Sequence, residues 1–129
     1  MRYFLKIEDC DESGAPCGKA LPVIAEGKFE GGVLTLEYIF DNAHYKLQVS
    51  ANRIYHVRYG DTNMKLEFCQ GELTDCTLGG EGLDGDFGIY THELHIMLTP
   101  NGCSAQMKFS ESAEDERFIH KKITAYKVK

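Results

Sequence analysis

Apolar and polar residues alternate with period two along most of the chain. Leu34, Leu36, Tyr38 and Phe40 interleave with Val33, Thr35, Glu37 and Ile39. Tyr45, Leu47 and Val49 interleave with Lys46, Gln48 and Ser50, and Met64, Leu66 and Phe68 with Lys65, Glu67 and Cys69. Ala105, Met107 and Phe109 do so with Ser104, Gln106 and Lys108. Successive side chains of a strand point to opposite faces, so such runs predict antiparallel strands with one buried and one wet face. Turn residues separate them at Gly31-Gly32, Asp41-Asn42, Gly60-Asp61 and Pro100-Asn101-Gly102. Further strands are predicted at about Tyr3–Ile7, Val23–Phe29, Ile54–Tyr59, Leu73–Leu78, Phe87–Leu98 and Phe118–Val128. No segment carries an apolar stripe at helical spacing. The acidic stretch Ser110–Arg117 reads as a solvated hairpin connection.

Many strands joined by hairpin-length turns predict a meander, and one feature predicts that it closes. In the run from Phe87 to Leu98 the apolar parity is Phe87, Ile89 and Thr91 at first, then Leu94, Ile96 and Leu98. A regular strand cannot invert its faces, so a bulge is required near Thr91–Glu93. The last strand carries a similar hint, Ile119 and Ile123 on one parity and Tyr126 and Val128 on the other. The fold expected is all-β: a single antiparallel up-and-down barrel of about eight to ten strands, filling residues 1–129 as one domain. Leu66 and Phe68 are placed in its core. The inward set is bulky, which favours a mostly filled interior with a pocket at one mouth over a deep cup.

Composition narrows the partners. The chain has 129 residues and a formal charge of -6, from 20 acids against 14 bases. That balance opposes a nucleic-acid backbone or an anionic membrane surface. The N-terminal residues lack an apolar signal-peptide core, and no run of 18 apolar residues crosses a bilayer. Five cysteines, an odd number, point to reduced thiols and a cytoplasmic location. Cys10/Cys17 and Cys69/Cys76 share a seven-residue step, longer than the two to four residues of paired zinc ligands, so no metal is expected.

Motifs that resemble catalytic or cofactor sites lose their meaning in context. Gly80-Glu81-Gly82-Leu83-Asp84-Gly85 spells a dinucleotide fingerprint. A strand is predicted after it, where the fingerprint needs a helix, and its acids would repel phosphate. Asp86-Phe87-Gly88 spells the kinase triplet in a chain too short for a kinase. Asp75, Glu81, Asp84 and Asp86 fit no EF-hand spacing and read as a solvated turn. His92 and His95, three apart, fall on opposite strand faces unless a bulge intervenes. No G-x-S-x-G elbow is present, and no spacing selects a Cys/His pair. The expectation is no catalytic residue, no cofactor and, on balance, no enzyme.

Between Gly27 and Leu98 the ordered set Gly27-Lys28-Phe29, Leu36-Glu37-Tyr38, Val57-Arg58-Tyr59-Gly60, Met64-Lys65-Leu66-Glu67-Phe68, Gly71, Gly85 and Thr91 resembles the YwiB-like family. This is a family of uncharacterised bacterial proteins with a calycin-like (lipocalin-like) β-barrel. The resemblance implies that fold and a bacterial cytoplasmic origin, and it carries no activity. The chain has no tryptophan and hence no lipocalin Gly-x-Trp signature.

Arg58 shares a strand face with Ile54 and His56, and the resemblance implies that this face points inward. A buried guanidinium requires a partner. One reading pairs it internally, with hydroxyls such as Tyr38 and Thr91, as a register pin. The other makes it the fork for a small, partly apolar anion, a carboxylate above all. The candidate ligand-binding residues are Arg58, Tyr38, Thr91, His92 and His56. Thr91 and His92 are expected to turn inward together at the bulge. An interaction or structural module with a filled core is the alternative, and assembly as a homo-oligomer stays open.

Overall fold

The computed structural model describes residues 1–11, 13, 15–18, 20–80 and 83–128. Ten strands follow in chain order: β1 (Arg2–Cys10), β2 (Leu21–Glu30), β3 (Val33–Phe40), β4 (Ala43–Val49), β5 (Arg53–Tyr59), β6 (Thr62–Cys69), β7 (Leu73–Gly80), β8 (Leu83–Thr99), β9 (Gly102–Ser110) and β10 (Ile119–Lys127). Each pairs antiparallel with its sequence neighbour, and β1 pairs with β10 to close a barrel. The expected meander of eight to ten strands is therefore present, with ten.

The turns obey their local chemistry. Asp41 and Asn42 take positive φ of 50° and 62°, and Gly31 and Gly32 take 60° and 77°. These are the conformations that two-residue hairpins of the right twist require. The bulge lies where the parity change demands it, between Thr91 and Glu93 opposite Phe109 and Lys108. The hint in the last strand fails. β10 keeps an unbroken register with both β9 and β1, and Tyr126 faces outward, stacked on Phe4 at 5.0 Å. An outward aromatic pair had imitated a parity change.

Two ends can be distinguished. The upper end carries the turns at residues 41–42 and 60–61, the described residues between β1 and β2, and the segment 111–118, which contains turns and bends and no helix. The lower end carries the turns at 31–32, 51–52, 70–72 and 100–101. Tyr3, Leu5, Leu34, Leu36, Leu47, Val49 and Ile54, all about 1% exposed or less, pack the middle and lower layers. Phe68 joins them at 3%, edge-on to Phe109, while Leu66 is half-buried against the cluster. Gly27 makes this packing fit: a Cβ there would stand 2.6 Å from Leu36 and 2.7 Å from the Tyr3 ring. Charged side chains occupy the outward positions of β2, β3, β4 and β6, among them Glu26, Lys28, Glu37, Lys46, Lys65 and Glu67. No helix among the described residues is long and apolar enough to cross a membrane.

Candidate functional site

Towards the upper end the inward positions change character. Tyr45, His56, Arg58, Met64, Leu66, Leu78 and Lys121 are each half-buried. Arg58 continues the face of Ile54 and His56 on β5, and Ile54 has no exposed surface, so the guanidinium enters the barrel. Register places Tyr45 beside it on β4 and Met64 on β6. Its guanidinium carbon lies 5.8 Å from the centre of the Tyr45 ring. Tyr45 in turn stacks on Tyr38, ring centres 4.9 Å apart and planes 1° from parallel.

The Tyr38 hydroxyl and His56 Nε2 form a hydrogen bond of 2.7 Å. Burial, reinforced by neighbouring Tyr45, pushes the Tyr38 phenol upward, so it stays protonated. Burial first, and then the positive charge of Lys121, pull His56 down to about 4. At neutral pH this pair is uncharged and already satisfied. Arg58 is different. Among the described residues its buried Nε has no hydrogen-bond partner and its guanidinium pairs with no carboxylate. No hydrogen bond joins Arg58 to Tyr38, whose hydroxyl bonds to His56 instead.

Thr91 and His92 do not join this cluster. Thr91 stands on β8, three strands round the ring from β5, and no hydrogen bond joins it to Arg58 among the described residues. Thr91 does turn inward. It is 0% exposed, and its Oγ1 has no partner among the described residues. His92 corrects the expectation of an inward pair. It is the unmatched residue of the bulge, and it points outward beside Tyr90 and Phe118, bonded at 2.6 Å to the Ser110 hydroxyl. A bulge shifts the parity by one, so His92 and His95 share the outer face with Tyr90.

Lys121 was missed in the sequence, although its signal was there. It has the parity of Ile123 and Ala125, both 3% exposed, and lies opposite Met107, which is 2% exposed. Its ammonium stands 4.0 Å from Asp9 at the rim, where the Asp9 side chain is 60% exposed. Next to this rim, where β9 ends and β8 runs on, a notch of about 320 Å³ is lined by Phe87, Ile89, Phe109, Arg117 and Ile119.

The motif residues behave as turn and strand. Gly80 and Leu83 pair as the ends of an antiparallel hairpin, so a strand follows the fingerprint-like segment; Glu81 and Gly82 lie outside the described residues. Asp86-Phe87-Gly88 lies within β8 opposite β7. All five cysteines are free thiols. Burial pushes the Cys103 thiol up to about 11, which makes it a poor nucleophile. Among the described residues no group of three His, Cys, Asp or Glu side chains is placed to hold a metal.

Against solved structures, the chain superposes on the crystal structure of the ywiB protein from Bacillus subtilis with a TM-score of 0.74. The match covers 99% of this chain and 91% of that one at 14% identity. The fold is the YwiB barrel. The resemblance seen in the ordered segments between Gly27 and Leu98 therefore extends over the whole architecture. At this identity the likeness speaks for fold and carries no ligand or activity. No protein-family profile matches the chain, and no curated protein does.

Proposed function

We propose that the protein binds a small, partly apolar anion at the upper end of its barrel, where the inward side chains are only half-buried, with Arg58 as the recognition fork. The observation that carries this reading is the buried Arg58 Nε without a partner. Leaving such a donor unsatisfied costs about 1–3 kcal/mol, more when it is charged, so a chain that keeps it gains something in return. A carboxylate of the ligand supplies both the missing acceptor and the missing charge. Tyr45 and Tyr38 give an aromatic wall for an apolar body, and the neutral Tyr38–His56 pair lines the site without adding charge. Concave, largely apolar walls with a few convergent polar groups are the usual form of a small-ligand site.

Thr91 and His92, first grouped with this site, are left out of the proposal because Thr91 stands three strands round the ring with no bond to Arg58 and His92 is bonded to Ser110 on the outer face. The test is a set of thermal melts of wild type and Arg58→Met with hexanoate and with benzoate. A rise in Tm for wild type, absent in a folded Arg58→Met variant, supports the reading. Equal responses in the two proteins sink it.

A further inference from the structure

We propose that the natural ligand is a dianion, holding one acidic group on Arg58 and a second on Lys121 across the barrel. This deepens the anion-binding reading and rests on it. In a closed ring of ten strands β5 and β10 are five steps apart in either direction, so these two cations project from opposite walls. Strand parity sends both inward: Arg58 with Ile54, and Lys121 with Ile123 and Ala125.

They also stand at the same end of the barrel, Arg58 one residue before the end of β5 and Lys121 third from the start of β10. The Lys121 charge acts on His56, two residues from Arg58 on the same face. Ten strands about 4.8 Å apart and tilted near 40° enclose roughly 20 Å between opposite backbones. Two long cationic side chains take up more than half of that. A body of a few bonds between two acidic groups therefore suffices to bridge them.

The charges present support two anionic ends over one. The carboxylate near Lys121 is Asp9, held at the 4.0 Å limit of an ion pair with its side chain 60% exposed. Such a rim contact is weak and is readily replaced by a second acidic group of a ligand. A monoanion on Arg58 would leave Lys121 to Asp9 alone. The Tyr38–His56 pair on the Arg58 side of the barrel is neutral, so it does not repel a bridging ligand.

Calorimetry at neutral pH and low salt tests this with glutarate and adipate against their monomethyl esters, which keep the body and lose one charge. The diacids are expected to bind wild type at least about tenfold more tightly than the esters. In Lys121→Met, or Lys121→Gln should the first fail to fold, that advantage disappears while ester affinity is unchanged. Asp9→Asn, which frees Lys121, tightens the diacids only. Equal affinities for diacid and ester in wild type, with no effect of Lys121 variants, overturn the dianion and leave the Arg58 reading standing. Absence of binding by diacids and esters alike at millimolar concentration overturns both.

Discussion

On β3, β4 and β5 the lower inward positions are Leu34, Leu36, Leu47, Val49 and Ile54, with no exposed surface, whereas the upper ones are Tyr38, Tyr45, His56 and Arg58. The same strands thus build a packed layer at one level and a polar, half-open layer a few residues above it. Nothing in the backbone pairing distinguishes the levels, because the ladder from β3 to β5 continues through both. The difference lies in the side chains alone. The lower layer earns stability by excluding water, while the upper layer gives some of that up to keep a positive charge facing inward.

The comparison breaks most visibly on truncation. Leu36→Ala is expected to cost about 2–5 kcal/mol, the range for deleting a fully enclosed leucine. Leu66→Ala in the upper layer should cost clearly less, because Leu66 is only partly buried. Chemical denaturation of both variants measures the gap, and equal losses would mean that the upper end is as tightly packed as the lower.

Acid is expected to act through the upper layer. His56 lies at about 4 in the folded protein against 6.5 for a free imidazole. The unfolded chain therefore binds this proton more readily, and stability falls as pH drops from about 6.5 towards 4. The loss from this group approaches about 3 kcal/mol. A pH series of melts on wild type and His56→Gln isolates it, the variant keeping more of its stability between those limits.

Smaller effects sharpen the contrast. Gly27→Ala forces a methyl group against Leu36 and the Tyr3 ring, for a loss of about 1–3 kcal/mol seen as a lower denaturation midpoint. Arg58→Met should move the other way. With no internal partner to strand, removing a buried charge is expected to stabilise the empty protein by about 1–2 kcal/mol, read as a raised Tm. Tyr38→Phe leaves His56 Nε2 without its hydrogen bond and should cost about 1 kcal/mol in the same melts.

Much of this was legible in the sequence. Period-two runs located the strands, and a change of parity at Thr91–Glu93 located the bulge, because both are consequences of alternating Cβ directions. The inward turn of Arg58 was implied by the family resemblance, because both faces of its strand are partly apolar and parity alone does not choose between them. What parity could not supply was distance around and along the ring. It grouped Thr91 with Arg58, although Thr91 stands three strands round the ring and no hydrogen bond joins the two among the described residues. It also did not tell which residue at the bulge is the unmatched one, so His92 was drawn inward when it stands outside with Ser110. Lys121 escaped because a charged residue on an inward parity looks like the wet end of a strand until closure places it opposite Arg58.

The central claim is that the Arg58 guanidinium waits for an anion, and its Nε–H resonance reports on that directly. In a nitrogen-15 spectrum of arginine-labelled protein, titration with hexanoate should move the Arg58 Nε–H signal downfield in a saturable way as the orphan donor gains an acceptor. The assignment is made by loss of the signal in Arg58→Met. Arg53, held by Glu67 on the outer face, serves as the internal control and should stay in place. A shift of Arg58 that saturates while Arg53 stays fixed is the predicted result. An Arg58 signal that stays fixed, or that moves only in step with Arg53 without saturating, would contradict the account.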